Sequence, residues 1–279
     1  MDNNFQNTLG GSVRFSGIAL HTGVRAHLTL HPADEGSGII FRRIDVQGKP
    51  EVKALASNVV DVRRGTTIAQ GNAAVSTVEH VLAVLYALNI DNAVVDMDGP
   101  EPPIADGSAL PYLKIVQEAG IVQQSKLAEY WTPDKNLVFK NGETMTVFTP
   151  AESLKISSLV EYKSYKQGTQ YYSSEITPEE FIENIASART LVGYHELEQL
   201  IAMGLVKGGS LDNAIIMHDG AIICKEGLRY PDELVKHKVL DIIGDMALLG
   251  KRIKAHILAV KPGHASNVIA AQNIIAGTQ

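Results

Sequence analysis

The sequence predicts an α+β fold of two domains of like topology, each a sheet with two helices, packed helix layer to helix layer. Each half of the chain shows short strands, then a helix, a strand and a second helix. The two helices begin at matching intervals, at Ser76 and Ser108 in the first half and near Glu233 and Ser266 in the second. This repeated plan indicates a duplicated architecture, although the halves show no evident sequence identity.

A polar stretch, Gln123-Gln124-Ser125, is predicted to be the linker between the two domains. It follows a helix that is expected to end at Gly120, and the strand pattern starts again after it. We therefore predict an N-terminal domain over residues 1–122 and a C-terminal domain over residues 126–279.

The elements of the first domain are predicted from apolar and polar residues that alternate, which indicate strands, and from apolar residues at helical spacing, which indicate helices. Apolar and polar residues alternate from Val24 to His31, which is typical of a strand with one buried face. An apolar stripe from Val78 to Leu88 indicates an amphipathic helix. The elements predicted here are strands at 24–31, 38–42, 51–55 and 93–97, and helices at 76–88 and 108–120.

In the second domain, Asn141-Gly142 is a strong hairpin signal, and Thr177-Pro178-Glu179-Glu180 combines a helix cap with an N1 proline. Gly250 is expected to close the longest helix. The elements predicted here are strands at 137–140, 143–149, 154–162, 214–217 and 255–260, and helices from 177, at 196–203, at 232–249 and from 266.

Composition excludes several classes of protein. The 279-residue chain carries a net charge of −6, so no global basic field points to nucleic acid or to an anionic membrane. A single cysteine excludes an internal disulfide and a CxxC metal site. The sequence shows no signal peptide and no apolar run near the ~20 residues of a membrane span. We expect a cytoplasmic protein, in the monomeric state, without a nucleic-acid partner.

Three polar residues, His237, Asp241 and Asp245, recur every four positions along the predicted 232–249 helix. This spacing places them on one face, while the intervening positions are mostly apolar. Carboxylates on so apolar a helix are expected to be paired or metal-bound. A histidine and a carboxylate four residues apart can share one divalent cation, so we predict His237 and Asp241 as ligands.

The adjacent pair Glu79-His80 is the candidate for the missing ligand and for a base. Two readings stay open for Glu79, because Ser76-x-x-Glu79 also fits a helix capping box. His80 considered alone is more often an ordinary satisfied polar residue than a ligand. Together, the two can place a histidine on the metal and a carboxylate on its water, as H-E-x-x-H helices do.

His80, His237 and Asp241 form the two-imidazole, one-carboxylate set of a catalytic Zn²⁺ site with an open position for water. We expect one Zn²⁺ per chain, with Fe²⁺ as an alternative because iron accepts similar ligands. Glu79 would then act as general base. Asp245, one turn beyond Asp241, is better suited to orienting a histidine from another segment.

His264, in Lys261-Pro262-Gly263-His264, is the candidate for that histidine. It is either a residue of a solvated turn or a general acid held by Asp245. Lys238 and Lys261 lie in the same two segments as Asp245 and His264. Each considered alone is predicted to be a surface lysine. Beside a metal, the two lysines could bind phosphate.

These motifs closely resemble the UDP-3-O-acyl-N-acetylglucosamine deacetylases, zinc amidases of lipid A synthesis in Gram-negative bacteria. The resemblance spans nearly the whole chain in order, and it is carried by Ser76-Thr77-Val78-Glu79-His80, Ser187-Ala188-Arg189-Thr190, His237-Lys238-x-Leu240-Asp241-x-x-Gly244-Asp245, and Gly263-His264. It implies two domains of like topology with the site between them, and an acylated UDP-sugar as substrate.

The resemblance also implies roles that spacing alone does not give. His80, His237 and Asp241 would carry the metal, with Glu79 as base and His264 as acid paired with Asp245. Thr190 would stabilise the oxyanion, and Lys238 would lie near the substrate phosphates. A βαβ insert near residues 193–217 would hold the acyl chain, lined by Leu197, Val206 and Ile216.

One departure from the family pattern concerns the nucleotide. Family members commonly continue Ala-Arg-Thr with Phe-x-Phe, whereas this sequence reads Leu191-Val192-Gly193-Tyr194. Tyr194 is the candidate replacement for one aromatic. A non-catalytic nucleotide-sugar binding module with a structural metal is the alternative function. A third function, that of another zinc amidase such as a peptidase, lacks support because the sequence contains no H-E-x-x-H motif.

Overall fold

A computed structural model describes residues 4–163 and 165–277 and shows a mixed α+β protein. The first half builds most of its strands before its helices. Its elements, in chain order, are β1 (Phe5–Leu9), β2 (Val13–Ile18), β3 (Arg25–Pro32), β4 (Ile39–Arg43), β5 (Glu51–Lys53), a 3₁₀ turn (Ala56–Asn58), β6 (Val59–Asp61), β7 (Thr67–Gln70), β8 (Ala73–Val75), α1 (Glu79–Ala87), β9 (Ala93–Met97), α2 (Leu110–Ala119) and β10 (Ile121–Leu127).

The second half contains the longest helix of the described residues, and its own five-stranded sheet is completed late in the chain. Its elements are β11 (Tyr130–Trp131), β12 (Leu137–Asn141), β13 (Thr144–Pro150), β14 (Lys155–Glu161), β15 (Thr169–Glu175), α3 (Pro178–Glu180) running into a π-helical turn (Phe181–Ile185), β16 (Leu191–Gly193), α4 (Tyr194–Ala202), β17 (Ile215–His218), β18 (Ala221–Ile223), α5 (Glu233–Met246), a 3₁₀ turn (Ala247–Leu249), β19 (Arg252–Ile253), β20 (Ala255–Val260) and α6 (His264–Ala276).

Both halves contain a five-stranded sheet with the same connectivity. The strand orders are β2-β3-β9-β4-β5 and β12-β13-β20-β14-β15. In each sheet the central strand pairs antiparallel with one neighbour and parallel with the other. The prediction of two units of like topology in an α+β fold is confirmed.

The two halves meet through helices α1 and α5, which pack directly against each other. Gly244 of α5 lies so close to α1 that a Cβ atom there would be 2.1 Å from the carbonyl oxygen of Glu79. One apolar core runs through both halves and includes Leu82 of α1, Ile243 of α5 and Phe148 of β13. The helix carrying Glu79-His80 and the helix carrying His237 are therefore held in contact.

The polar stretch at residues 123–125 is not a loop, so the linker prediction is wrong there. These residues belong to β10, which pairs antiparallel with β1 at the start of the chain. Long-range pairing gives the polar segment its backbone partners, and a single-sequence pattern cannot show that. The division into domains at residues 122 and 126 stays a prediction.

The starts of helices α1 and α6, which carry predicted site residues, differ from those predicted by two or three residues. Helix α1 begins at Glu79 instead of Ser76, and α6 begins at His264 instead of Ser266. At α6 the Ser266 hydroxyl accepts a hydrogen bond from the amide of Gly263, the residue that precedes the helix. His264 is thus a first-turn helical residue and not part of a preceding turn.

Between the main elements of the second half, β16 and β17 pair in parallel and are joined through α4, with β18 antiparallel at the edge. This unit lies where a βαβ insert was predicted. None of the helices among the described residues is long and apolar enough to cross a membrane.

Candidate metal centre and acid–base groups

Three predicted metal ligands come together where α1 and α5 pack. The candidate ligand atoms of His80, His237 and Asp241 all lie within 4.8 Å of one another. Each of these residues is at most 4% exposed. Within the described part of the chain, no other group of three or more His, Cys, Asp or Glu residues converges in this way.

Unpaired polar atoms in this cluster match the needs of a divalent cation. Among the residues that the structure describes, His80 Nδ1 and Asp241 Oδ1 are buried and have no hydrogen-bond partner. Asp241 Oδ1 lies 3.5 Å from Nε2 of His237. Buried polar atoms that lack partners are costly, and a shared cation would satisfy them. Two imidazoles and one carboxylate are also the donor set of a catalytic zinc site.

Backbone contacts and charge prepare these residues for metal binding. Nδ1 of His237 donates a hydrogen bond to the carbonyl of Ala188 (3.1 Å), which leaves Nε2 as the free nitrogen. Burial lowers the pKa of His80 to about 3 and also lowers the pKa of His237. Burial opposes ionisation of Asp241, but the positive charge of Lys238 holds its pKa well below the usual range. Neutral imidazoles and an ionised carboxylate are the forms that bind metal.

Glu79 stands beside His80 at the first turn of α1, and it does not form a capping box. The helix is preceded by Val78, which makes no side-chain cap, and Ser76 donates to the carbonyl of Pro100 instead. Oε2 of Glu79 accepts from the backbone amide of Thr66 (3.0 Å). Burial raises the pKa of Glu79 to about 7, which suits a general base at neutral pH.

Asp245 and His264 form the predicted pair. His264 Nδ1 donates to Oδ2 of Asp245 at 2.9 Å. Burial opposes the imidazolium, but the nearby carboxylates, with Asp245 the strongest, raise the pKa of His264 to about 10. His264 Nε2 lies 3.9 Å from Oδ2 of Asp241, so the pair adjoins the metal ligands. The protonated imidazole is the form required of a general acid.

Thr190 lies in a segment anchored by a buried ion pair that the sequence reasoning missed. Its amide donates to the carbonyl of Gly107 (2.7 Å). The preceding residue, Arg189, is 2% exposed and pairs with the fully buried Glu233 at 2.8 Å. Glu233 also accepts from the backbone amide of Arg189. The available signal was Glu233 itself, a charge at the first turn of a helix that is buried nearly all round.

The two predicted phosphate-binding lysines have different surroundings. Lys238 donates to Oδ2 of Asp241 at 2.8 Å and therefore belongs to the metal-ligand cluster. Lys261 pairs with the exposed carboxylates of Glu143 (2.8 Å) and Glu161. These ion pairs do not involve the metal ligands, and a phosphate-binding role for Lys261 stays a prediction.

The three predicted acyl-lining residues, Leu197, Val206 and Ile216, are all half-buried in the β16–α4–β17 unit. Ile216 lies between Val192 and Ile223 across the small sheet. Tyr194 is 42% exposed, and its ring centroid lies 4.3 Å from that of His218. These positions leave apolar surface accessible, and their substrate contacts stay predictions.

An α+β fold with a buried His₂Asp cluster, a carboxylate beside it and a charged His–Asp pair is typical of metal-dependent hydrolases. The sequence profile of the family described as UDP-3-O-acyl N-acetylglycosamine deacetylase matches residues 6–276. The chain belongs to this family, which confirms the resemblance inferred from its motifs.

Individual relatives cover almost the same span. The UDP-3-O-acyl-N-acetylglucosamine deacetylase of Geobacter sp. (strain M21) is 44% identical over 263 residues, which is 94% of this chain and 86% of that protein. The enzyme of the same name from Chlamydia felis (strain Fe/C-56) is 41% identical over 271 residues, 97% of this chain and 96% of that protein. The UDP-3-O-acyl-N-acetylglucosamine deacetylase of Teredinibacter turnerae (strain ATCC 39867 / T7901) is 41% identical over 264 residues, which is 94% of this chain and 87% of that protein.

Proposed function

We propose that this protein is a zinc-dependent hydrolase that removes the N-acetyl group of UDP-3-O-(3-hydroxyacyl)-N-acetylglucosamine in lipid A biosynthesis. The products are acetate and the free amino sugar nucleotide. The observation that carries the proposal is the convergence of His80, His237 and Asp241 beside Glu79 and the His264–Asp245 pair. Membership of the deacetylase family supports the same reaction.

His80, His237 and Asp241 would hold the Zn²⁺ ion. When bound, Zn²⁺ supplies Lewis acidity and lowers the pKa of a coordinated water from about 15.7 to about 7. Glu79 removes a proton from the attacking water as the water oxygen bonds to the acetamide carbon. The Thr66 amide, which donates to Oε2, keeps this carboxylate oriented.

The remaining groups complete cleavage of the C–N bond. The Thr190 hydroxyl donates to the developing oxyanion. His264, held by Asp245, delivers a proton to the sugar nitrogen, so nitrogen leaves as a neutral amine while the bond to carbon breaks. Acetate retains the oxygen of the water. The raised pKa of His264 keeps it protonated at neutral pH.

The substrate-binding groups are assigned by their chemistry. Lys238 supplies a positive charge close to the reacting centre for the diphosphate, with Lys261 as a second candidate. Leu197, Val206 and Ile216 line the passage for the acyl chain. We propose a cytoplasmic, monomeric enzyme that uses a nucleotide-linked substrate.

The test is acetate release from the acylated UDP-N-acetylglucosamine, combined with metal analysis of the same purified protein. We expect acetate and free amine in equal amounts, and one metal ion per chain. Apoprotein reconstituted with Zn²⁺ or with Fe²⁺ identifies the ion that supports turnover. Metal binding without acetate release would contradict the proposal and favour a nucleotide-sugar binding module.

A further inference from the structure

We infer that Thr66 is a positioning residue that couples the general base to the general acid. The inference rests on the proposed deacetylation, in which Glu79 and His264 hold these roles. Thr66 is fully buried and lies in the loop just before β7, in the N-terminal half of the chain. It contacts both acid–base groups through two different parts of the residue.

The backbone of Thr66 holds Glu79. Its amide donates to Oε2 of Glu79 (3.0 Å), and its carbonyl accepts from the amide of Val78 (3.2 Å). The preceding residue is Gly65, where a Cβ atom would lie 3.2 Å from Oε1 of Glu79. Gly65 therefore leaves room for the carboxylate, and the loop is fixed against the start of α1.

The side chain of Thr66 holds Asp245, which belongs to the other half of the chain. The hydroxyl donates to Oδ1 of Asp245 at 2.6 Å. A hydroxyl has one proton to donate, so the longer approach to Nδ1 of His264 (3.4 Å) is not a second donated bond. The carboxylate of Asp245 is thereby tied to the loop that orients Glu79.

The Thr66 hydroxyl matters because of how the Asp245 carboxylate is shared. Oδ2 accepts from His264 Nδ1 and from Asn267 Nδ2, each at 2.9 Å, and both of these residues belong to α6. Oδ1 has the Thr66 hydroxyl as its hydrogen-bond donor among the described residues, and Asp245 is fully buried. Without the hydroxyl, Oδ1 is a buried anionic oxygen with no donor, and the carboxylate can turn away from His264.

Thr66→Val tests this because it keeps the shape of the side chain and the backbone amide but removes the donor. We expect kcat to fall about 10- to 100-fold, the usual effect of losing an outer-shell partner, with KM and bound zinc unchanged. Thr66→Ser retains the donor and should recover most of the lost turnover. Thr66→Ala provides a second donor-free variant if the valine variant does not fold, and thermal melting reports folding in each case.

A double-mutant cycle separates coupling from a general packing effect. In an Asp245→Ala background the Thr66 hydroxyl has lost its acceptor, so Thr66→Val should cause little further loss of kcat. The inference is overturned if Thr66→Val turns over like wild type or if Thr66→Ser fails to restore activity. It is also overturned if the fold losses of kcat in Thr66→Val and Asp245→Ala multiply in the double variant. Wild-type protein without acetate release would instead refute the proposed function, which keeps the two failures distinguishable.

Discussion

The pKa values of three imidazoles in one small volume differ because their neighbours differ. His80 and His237 lie where burial lowers their pKa values and keeps them neutral. His264 hydrogen-bonds to Asp245, and its pKa is raised to about 10. Sequence spacing brought these residues together as candidates, but protonation depends on contacts between segments distant in the chain.

The open question about Glu79 shows where sequence reasoning stopped. The Ser76–Glu79 spacing satisfies the capping-box rule, so the local helix sequence alone favours a structural role for Glu79, and only the pairing with His80 favours a catalytic one. The structure decides against capping because α1 begins at Glu79 and the carboxylate accepts from Thr66. Thr66 lies in a different strand-loop segment, and single-sequence patterns do not predict such a contact.

Glu79→Gln should separate proton transfer from hydrogen bonding. The amide oxygen of glutamine can still accept from the Thr66 amide, but the side chain cannot take a proton from water. We expect kcat to fall by about 10²- to 10⁴-fold with zinc content unchanged. Steady-state kinetics and metal analysis of the same preparation check this, and turnover close to wild type would rule out Glu79 as the base.

Asp245→Asn should change the pH dependence of the zinc-loaded enzyme. His264 acts in its protonated form, so kcat falls at alkaline pH as the imidazolium loses its proton. The Asp245 carboxylate raises the pKa of His264, with Asp241 and Glu79 contributing in the same direction. Removing one negative charge lowers that pKa, so the alkaline limb should move to lower pH.

The measurement for Asp245→Asn is a pH profile of kcat, with Asp212→Asn as the matched control. Asp212 is an exposed carboxylate paired with Lys225 on the surface. Its replacement should leave the profile in place. An unchanged alkaline limb in Asp245→Asn would show that this carboxylate does not hold the acid in its charged form.

Among the elements, the long periodic ones were the most predictable. The strands at 93–97 and 255–260 and the helix around His237 follow from hydrophobic pattern, and the structure places them at those positions. Short strands such as β6, β16 and β18 have three residues each, which is too few to show a period. Strand β10 is polar and depends on pairing with β1, so its pattern suggested a linker.

Gly244→Ala should disturb the packing of α1 on α5. The added Cβ would lie 2.1 Å from the backbone oxygen of Glu79, and backbone cannot move aside as a flexible side chain can. Overpacking of this kind costs about 1–3 kcal/mol of unfolding free energy. Denaturant unfolding measures it, with Gly11→Ala as control because a Cβ there meets nothing within 4 Å. Equal stability of the two variants would refute close packing at Gly244.

For the whole molecule, duplication was predictable and the geometry of the interface was not. The matching intervals between helices indicated two similar halves, and the two five-stranded sheets have the same strand order. Neither half contains the whole proposed metal site, because His80 comes from α1 and the other two proposed ligands come from α5. Their meeting depends on the close approach at Gly244, which local patterns do not reveal.

Metal removal should therefore weaken the association of the two halves as well as abolish turnover. An ion bound by residues of both halves stabilises the folded state by about 2.7 kcal/mol when its free concentration is 100 times Kd. We expect a chelator to lower the melting temperature and Zn²⁺ to restore it. His80→Ala should show a much smaller response to Zn²⁺, and an equal response in that variant would place the stabilising ion elsewhere.

The strand order also has a consequence for synthesis of the protein on the ribosome. In each sheet the central strand, β9 or β20, is the last of the five to be translated. The flanking strand pairs cannot join until Met97 and Val260, respectively, have emerged. The second sheet therefore stays open on the nascent chain from the emergence of β15 until Val260 has emerged. We expect chaperone contacts during translation to concentrate in this interval between the emergence of β15 and the emergence of β20.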